Sequence, residues 1–452
     1  MKHFLDWSAY RDAGMGDAYA DIPRTGGDFA KAVAVCINSR RCESLDKGVM
    51  CPSYRLDGDP DLSTGARVRL LKAALNGEMG PQGLLDPRLV EAMDLCVSCK
   101  GCKRECENNV DMAQIKIEYL AQLNASTGLS LRARLLGGLP RWLAHLPWLK
   151  GLIRLRNRHA WLARLGETLL GLSARRRLPQ PASQPFPDES RTAEGERTVI
   201  LFVDTFTRHF EPEIAEAALS VLEAAGYRVN LVQAAAGDTE QRPLCCGRSY
   251  LSQGMVEPAK REARRTLDAL LPHAEAGVPI IGLEPSCLLT LRDEYLTLGL
   301  GEAAERVAKQ ALLFEEFLAR ERSAGRLALP LQRPMDGAKK ILVHGHCHQK
   351  AVGAMKSMRK VLKLIPDLAF EMVDASCCGM AGSFGLEAEH AAHSLAMAEQ
   401  ALLPALRAEP AAQVVANGFS CRQQIADGVQ CKPLHLALLL QSALIPGPPV
   451  RS

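Results

Sequence analysis

Seven cysteines in the first quarter of the chain have a spacing that suits an inorganic cluster. They are Cys36, Cys42, Cys51, Cys96, Cys99, Cys102 and Cys106. The last four follow the pattern Cys-x2-Cys-x2-Cys-x3-Cys, which brings their sulfurs together from one tight loop. Because thiolates are preferred ligands of iron-sulfur clusters, this stretch predicts cluster binding and the transfer of single electrons.

The spacing is that of two-cluster ferredoxins, in which three cysteines of each run hold one cluster and the fourth crosses to the other. By this rule the complete set is Cys51, Cys96, Cys99 and Cys102. The other set has only the three sulfurs of Cys36, Cys42 and Cys106. Ser39 stands at the second position of the upstream run. We therefore expect one 4Fe-4S cluster, and a second cluster that is either 3Fe-4S or 4Fe-4S with an oxygen ligand from Ser39 or water.

Zinc and disulfide bonds are the alternative uses of these cysteines. Zinc can be held by paired Cys-x2-Cys groups, but a run of four with a widened last gap is poorer zinc spacing. Residues 1–30 contain several aspartates and no apolar core of a signal peptide, so we expect a cytoplasmic protein. In that reducing compartment, fifteen cysteines indicate metal or redox chemistry rather than disulfides.

Composition narrows the class of protein. The chain has 452 residues, which suggests roughly three domains. A formal net charge of +4 and only 5% aromatic residues argue against a nucleic-acid partner. Uninterrupted apolar runs of about eighteen residues are absent from the sequence, so no membrane-spanning helix is predicted.

The order of sequence patterns predicts an α+β multidomain fold. The segments are an N-terminal arm (1–30), a helical ferredoxin-like iron-sulfur domain (31–128), a basic helical connector with a proline-rich linker (129–196), and two α/β modules (197–330 and 331–452). Helical spacing is clearest over Ser63 to Asn76 and Val110 to Leu123, so the cluster domain is predicted to be helical.

Residues 129–178 combine eleven Lys or Arg residues with a single acid, Glu167, and with Trp142, Trp148 and Trp161. Such a segment can lie peripherally on an anionic membrane surface, here the inner face of the cytoplasmic membrane. It can equally be a connector that packs its leucines and tryptophans on the neighbouring domains. Prolines and glycines in the segment predict that it is not one continuous helix.

From Arg197 onward the same order of elements occurs twice, which is the pattern of an internal repeat. Each copy has a strand, a helix, a strand, a Cys-Cys-Gly turn, a helix, a strand and a further cysteine. The first copy contains Cys245, Cys246 and Cys287, with Thr205 near the position of a fourth cysteine. The second copy contains Cys347, Cys377, Cys378 and Cys421. We expect the second copy to bind a metal centre, and the first to be degenerate.

Histidines accompany the second set of cysteines. His344, His346 and His348 alternate at the predicted end of a strand, with Cys347 on the opposite face. They are candidates for cluster ligands or proton relays, His346 and His348 in particular, although hydrogen-bonded structural histidines are the more common case. His209, in the first copy, is a weaker candidate.

These motifs together resemble the iron-sulfur portion of the flavin-linked 2-hydroxyacid dehydrogenases of the glycolate oxidase and D-lactate dehydrogenase type. The double module also occurs in the B subunit of heterodisulfide reductase and the C subunit of anaerobic glycerol-3-phosphate dehydrogenase. The resemblance extends over residues 31–445. The segments closest to the hydroxyacid-dehydrogenase branch are Val203 to His209, His346 to Lys350 and Ser420 to Gln424. In that family each module ends in Cys-x2-Cys, but Glu284 and Gly418 replace the first cysteine of these pairs here.

The resemblance implies an electron-transfer component of an oxidoreductase. A flavin or nicotinamide fingerprint is absent from the sequence, so FAD is expected on a partner oxidase subunit or domain. Electrons would pass from that flavin to a quinone or cytochrome. Two alternatives stay open at this point. One is a thiol-disulfide reductase of the heterodisulfide type, and the other is a non-enzymatic iron-sulfur scaffold or sensor.

Overall fold

The structure is a computed structural model that describes the chain except residues 1, 15–16, 18–19, 45–47, 147, 188–194, 196, 241, 334–339 and 446–452. Helices predominate, and the strands form two small parallel sheets. The predicted mixture of a helical N-terminal part with later α/β parts is confirmed. Part of the predicted proline-rich linker, 188–194 and 196, lies outside the described residues.

The N-terminal part is helical, as its spacing predicts. Its helices are α1 (Gly27–Ala34), α2 (Tyr54–Asp57), α3 (Thr64–Leu75), α4 (Pro87–Asp94), α5 (Gly101–Glu105) and α6 (Met112–Thr127). The side chain of Ser63 caps α3 by accepting from the N–H of Ala66, and Asp111 caps α6 by accepting from Gln114. These caps fix two helix N-termini in the region that carries the cysteines.

The N-terminal arm packs on the rest of the protein. Both Phe4 and Leu5 donate their backbone N–H groups to the carboxylate of Glu118, as does the indole of Trp7. The Trp7 side chain is buried. The backbone N–H of Asp6 donates to the carbonyl of Thr297 at 2.7 Å. The arm therefore joins α6 to the first α/β region.

The connector forms four helices in its described part rather than one. They are α7 (Leu131–Gly137), α8 (Leu139–His145), α9 (Leu149–Arg158) and α10 (Ala160–Leu170). The breaks fall at Gly138, at Leu146 and Trp148, and at His159. Two of these breaks coincide with the glycines and the proline from which the sequence predicts interruption.

The first sheet has the order β2-β1-β3-β4, with parallel pairing throughout. Its strands are β1 (Arg197–Phe202), β2 (Tyr227–Leu231), β3 (Ile280–Gly282) and β4 (Ala311–Leu313). The accompanying helices are α11 (Thr205–His209), α12 (Pro212–Ala224), α13 (Arg248–Ser252), α14 (Val256–Glu275), α15 (Pro285–Arg292), α16 (Glu302–Gln310) and α17 (Phe314–Ser323). The sequence analysis missed β4, because three residues between two helices carry no alternation of their own.

The second sheet has the order β6-β5-β7 and is also parallel. Its strands are β5 (Ile341–His344), β6 (Phe370–Met372) and β7 (Gln413–Ala416). Its helices are α18 (Cys347–Ala351), α19 (Met355–Leu362), α20 (Ala391–Glu399), α21 (Leu402–Ala408), α22 (Phe419–Val429) and α23 (Leu436–Ser442). Non-helical backbone at Ala401 (φ −153°) separates α20 from α21.

Hydrophobic packing joins all three parts of the chain. One core combines residues of the N-terminal helices with residues of the first sheet region, including Cys51, Cys102, Cys246 and Cys287. A smaller cluster joins Cys99 to Cys377 and Phe384 of the second sheet region. Since interiors are close-packed, these shared cores fix the cysteine groups relative to one another.

Candidate cluster-binding sites

The complete four-cysteine set lines one cavity. Its sulfur-bearing residues are Cys51, Cys96, Cys99 and Cys102. Left-handed backbone at Ser98 (φ 48°) and Lys100 (φ 60°) on either side of Cys99 curls the loop around this cavity. Gly101 is required there, because a Cβ atom would lie 2.7 Å from the backbone nitrogen of Met50.

The three-cysteine set lies beside the first. Consecutive N–H groups at the start of α3 donate to one sulfur of each set, Thr64 to Cys51 Sγ at 3.1 Å and Gly65 to Cys42 Sγ at 3.2 Å. Cys36 interacts electrostatically with both Cys42 and Cys106. The positive end of a twelve-residue helix therefore faces both sulfur groups, where it favours thiolates.

The loop of the incomplete set has the same backbone pattern as the loop of the complete one. Asn38 and Arg40 have left-handed backbone (φ 58° for both) on either side of Ser39, as Ser98 and Lys100 do around Cys99. Ser39 is exposed. It thus occupies the place in its loop that Cys99 occupies in the other.

Burial disfavours the negatively charged thiolate form of these cysteines. It raises the pKa of Cys51 to about 11, and the pKa values of Cys99 and Cys102 are also raised. Without a bound cation the thiols stay protonated at neutral pH. A metal that replaces those protons would supply the compensating positive charge, so the donor set fits an iron-sulfur cluster.

The cysteines of the second α/β module form one group, in which Cys347 is half-buried and the other three are buried. Thiol-thiol hydrogen bonds join Cys347 to Cys377, Cys377 to Cys378, and Cys378 to Cys421. The chain approaches this group from the start of α18, from the Cys-Cys-Gly turn and from α22. Gly379 (φ 81°) is required at the turn, because a Cβ atom would collide with the carbonyl oxygen of Ser394.

The histidines are not arranged as predicted. Strand β5 ends at His344, and the chain then bends so that Cys347 begins a helix; the alternation of three histidines along a strand is therefore wrong. His346 caps that helix by accepting the N–H of His348 at Nδ1 (3.1 Å). The ring of His348 contacts the carbonyl oxygen of Ser98 at 3.0 Å, in the loop of the complete set.

His344 lies close to two of the thiols of the second module. One of its ring nitrogens and the sulfurs of Cys378 and Cys421 all lie within 4.8 Å of one another. The sequence analysis did not single it out from the other two, although its position at the end of a buried strand was the available signal.

The first α/β module brings three thiols together. Thiol hydrogen bonds join Cys245 to Cys246 and Cys246 to Cys287. Glu284 lies beside them and caps α15, and its Oε2 accepts the backbone N–H of Phe419 from the second module at 2.7 Å. Burial raises the pKa of Glu284 to about 7. His209 is buried in α11, and burial lowers its pKa to about 4.

An ion-pair network fastens the complete set to the first module. Lys100, which is 4% exposed, contacts Asp293 at 2.6 Å and Glu294 at 2.8 Å. Arg248, directly after the Cys-Cys-Gly turn, also pairs with Glu294. Burial lowers the pKa of Lys100, but these carboxylates outweigh it and raise the pKa. Lys100 is therefore a charged, positioned group at the cavity wall.

A second polar contact joins the cluster domain to the second module. His390 contacts Asp94 at 2.6 Å and Glu387 at 3.0 Å, its ring stacks on Phe384, and Arg132 lies 3.8 Å from Glu387. Burial lowers the pKa of His390, but the two carboxylates raise it to about 9.

This contact predicts a stability that falls with rising pH. The pKa of His390 is higher in the folded protein than its ordinary 6.5, so its contribution is complete below pH 6.5 and is lost as pH rises through about 9. Because Asp94 is half exposed, we expect a loss of about 1 kcal/mol. Thermal melts of wild type and His390→Gln from pH 6 to 10 measure it. Equal pH slopes for the two proteins would contradict this assignment.

The connector carries exposed apolar side chains at helical spacing. Leu131 and Leu135 are exposed on α7, Trp148, Leu152 and Leu155 on and just before α9, and Trp161, Leu165 and Leu169 on α10. Arg154, Arg158 and Arg164 are exposed among them. Leu143 and Ala163 are buried, so part of the connector does pack on its neighbours. In the part of the chain that the structure describes, no helix is both long enough and apolar enough to cross a bilayer.

Comparison with protein families agrees with the cysteine groups. Residues 32–110 match the 4Fe-4S dicluster domain, and residues 341–426 match the cysteine-rich domain. These two matches support iron-sulfur clusters, the expected class of cofactor.

Individual relatives are oxidoreductase components. The chain is 26% identical to a D-2-hydroxyglutarate dehydrogenase of Pseudomonas putida over 93% of this chain and 44% of the relative. It is 25% identical to the C subunit of the anaerobic glycerol-3-phosphate dehydrogenase of Escherichia coli, over 62% of this chain and 68% of that one. The glycolate oxidase iron-sulfur subunit of Escherichia coli is 24% identical over 87% and 91% respectively. The resemblance predicted from the sequence is confirmed, and the chain spans less than half the length of the hydroxyglutarate dehydrogenases it matches.

Proposed function

We propose that this chain is the iron-sulfur electron-transfer component of a flavin-dependent 2-hydroxyacid dehydrogenase. Electrons would enter from FAD on a partner subunit or domain and leave to a quinone or cytochrome. The observation that carries this proposal is the proximity of the two N-terminal cysteine sets. The neighbouring N–H groups of Thr64 and Gly65 each donate to one sulfur of a different set. Adjacent sites suit a conduit for single electrons.

The ligand assignment forms part of the proposal. The complete set would hold a 4Fe-4S cluster, and Cys36, Cys42 and Cys106 would hold a 3Fe-4S or 4Fe-4S cluster. The second α/β module would hold a further centre. The two modules are proposed to be copies of one unit, with the first degenerate, and the domain bounds are those given by the sequence. Iron-sulfur clusters, when bound, accept and release single electrons.

The protein's own groups position and tune these sites. Helix N-termini and backbone N–H groups stabilise thiolates, as at Cys51 and Cys42. Lys100 and Arg67, both buried, line the cavity of the complete set. Positive charge there favours the more negative, reduced state of a bound centre. Burial of Cys99 and Cys102 excludes water from the sulfurs.

Proximity also supports an onward path into the second module. The thiols of Cys347 and Cys377 interact electrostatically with Cys99. His348 contacts the Ser98 carbonyl in the same loop. The alternative of a thiol-disulfide reductase has less support, because Cys377 and Cys378 are 3% and 4% exposed and offer little access to a substrate disulfide.

Substrate-driven reduction tests the proposal. The tagged chain is incubated anaerobically with extract of its source cells and with glycolate, D-lactate or D-2-hydroxyglutarate, and its visible absorption is followed. We expect bleaching with at least one hydroxyacid, and reoxidation on addition of a quinone. Cys99→Ser should lose the response, while Cys431→Ser, at a cysteine outside all four groups, should keep it. Bleaching by dithionite but by none of the hydroxyacids would refute the proposed function.

We also propose that the exposed connector face rests on an anionic membrane surface, where a quinone would be available. Three exposed arginines beside exposed tryptophans and leucines give the charge and apolar area that such a surface binds. The apolar residues recur at intervals of three or four within each helix, so they form stripes rather than scattered positions.

Vesicle flotation tests this contact. The full chain should float with phosphatidylglycerol-containing vesicles and not with pure phosphatidylcholine. The triple variant Trp161→Ala, Leu165→Ala, Leu169→Ala should bind more than tenfold more weakly, since each buried side chain contributes about 1.5–3 kcal/mol. Leu395→Ala, at an exposed leucine elsewhere, is the matched control. Equal flotation of the triple variant and wild type would exclude this face.

A further inference from the structure

His344 carries a buried imidazole at the end of a strand. Its side chain ends β5 and is 1% exposed. Within the described residues, neither Nδ1 nor Nε2 finds a donor or acceptor. Native interiors rarely bury such polar atoms unpaired, because the lost hydration is not repaid. The two nitrogens therefore indicate that this imidazole binds a group that is not part of the chain.

The thiols of the second module surround one side of this ring. A ring nitrogen lies within 4.8 Å of the sulfurs of Cys378 and Cys421, which is the separation of atoms that share one metal centre. Cys378 is joined through Cys377 to Cys347. One nitrogen and two sulfurs thus lie within 4.8 Å of one another, and the thiols of Cys377 and Cys347 adjoin them.

The chain provides its own comparison for this position. Phe202 pairs with Gly282 in the first sheet, and His344 pairs with Ala416 in the second. Glu284 and Gly418 each follow two residues after those partners. The registers therefore place His344 where the first module has Phe202, which is buried and apolar. The imidazole occurs in the module with four thiols, and the phenyl ring in the module with three.

Gly418, directly before α22, cannot supply another donor. Gly418 lies next to Cys421, and a Cβ atom there would be 3.2 Å from its sulfur. That Cβ atom would also collide with the ring of His346. The ring of His346 thus excludes a side chain at 418, and the open donor nearest the thiols is His344.

We propose that His344 is a nitrogen ligand of the metal centre in the second module, alongside the thiolates of Cys347, Cys377, Cys378 and Cys421. This rests on the proposed function, which gives that module a metal centre. The imidazole supplies a neutral donor in place of a further thiolate. The bound centre therefore carries one negative charge less from its ligands, which favours its reduced state.

Pulsed electron paramagnetic resonance of the anaerobically reconstituted full chain tests this inference. We expect a directly coordinated nitrogen coupling that changes isotope signature when the chain is labelled with ¹⁵N-histidine. His344→Phe, which copies the first module, should abolish the coupling, and His344→Cys should retain the iron while losing the nitrogen signal. His346→Gln should keep the signal.

Two results would overturn the inference in distinguishable ways. If Cys377→Ser, Cys378→Ser leaves the iron content unchanged, the second module holds no metal, and both this inference and that part of the proposed function fail. If the double variant loses iron but wild type shows no histidine nitrogen coupling, only the role of His344 fails. The labelling experiment needs no substitution, so it does not depend on the folding of a variant.

Discussion

Cys99→Ser is expected to remove the cluster of the complete set, with a loss of about four irons per chain. Cys99 is buried at the centre of its loop, and the left-handed residues on both sides aim that position into the cavity. A serine hydroxyl keeps its proton far more strongly than a thiol, so it does not replace the thiolate in this dry site. Iron and sulfide analysis with electron paramagnetic resonance after dithionite reduction measures the loss.

Cys431→Ser is the matched control for this substitution. Cys431 is half-buried and belongs to none of the four cysteine groups. It should leave iron content and spectra unchanged. Unaltered iron content in Cys99→Ser would show that Cys99 is not a ligand. It would also contradict the assignment of Cys51 and Cys99 to one four-cysteine set.

Ser39→Cys is expected to convert a three-iron centre into a four-iron centre, with a gain of about one iron per chain. Asn38 and Arg40 give Ser39 the same flanking backbone that Ser98 and Lys100 give Cys99. A cysteine at 39 would restore the pattern Cys-x2-Cys-x2-Cys to the upstream run. The oxidised three-iron resonance should disappear, and the signal of the reduced protein should grow.

Ser39→Ala tests whether the Ser39 hydroxyl is a ligand of the native centre. If Ser39 holds a fourth iron, Ser39→Ala should lose that iron. If water holds the fourth iron, or if the native centre has three irons, Ser39→Ala should change nothing. A Ser39→Cys protein with the same iron content and spectra as wild type would mean that the crossing assignment of Cys36, Cys42 and Cys106 is wrong.

The sequence predicted those features that depend on local spacing. Helices α3 and α6 follow from the periodicity of their apolar residues. The cysteine groups follow from the ligand geometry of clusters, and the main strands of both sheets follow from short β-rich runs. These signals are local because each depends on residues within one turn or one strand.

The features that the sequence did not predict depend on tertiary contacts. The sequence predicted a row of three histidines, but the chain bends after His344, which leaves His344 beside two thiols and makes His346 a helix cap. The contact of His348 with Ser98 joins residues that are 250 positions apart. The ion pair of Lys100 joins it to Asp293, nearly two hundred residues later. Spacing along the chain carries no record of such distant partners.

The most direct test of the account is the iron and acid-labile sulfide content of the anaerobically purified chain, with electron paramagnetic resonance before and after dithionite reduction. The account predicts about eight or more irons with matching sulfide, and magnetic coupling between neighbouring reduced centres, because α3 contacts both N-terminal sulfur sets. Zinc without sulfide would contradict it, since the cysteines would then form structural zinc sites, which transfer no electrons.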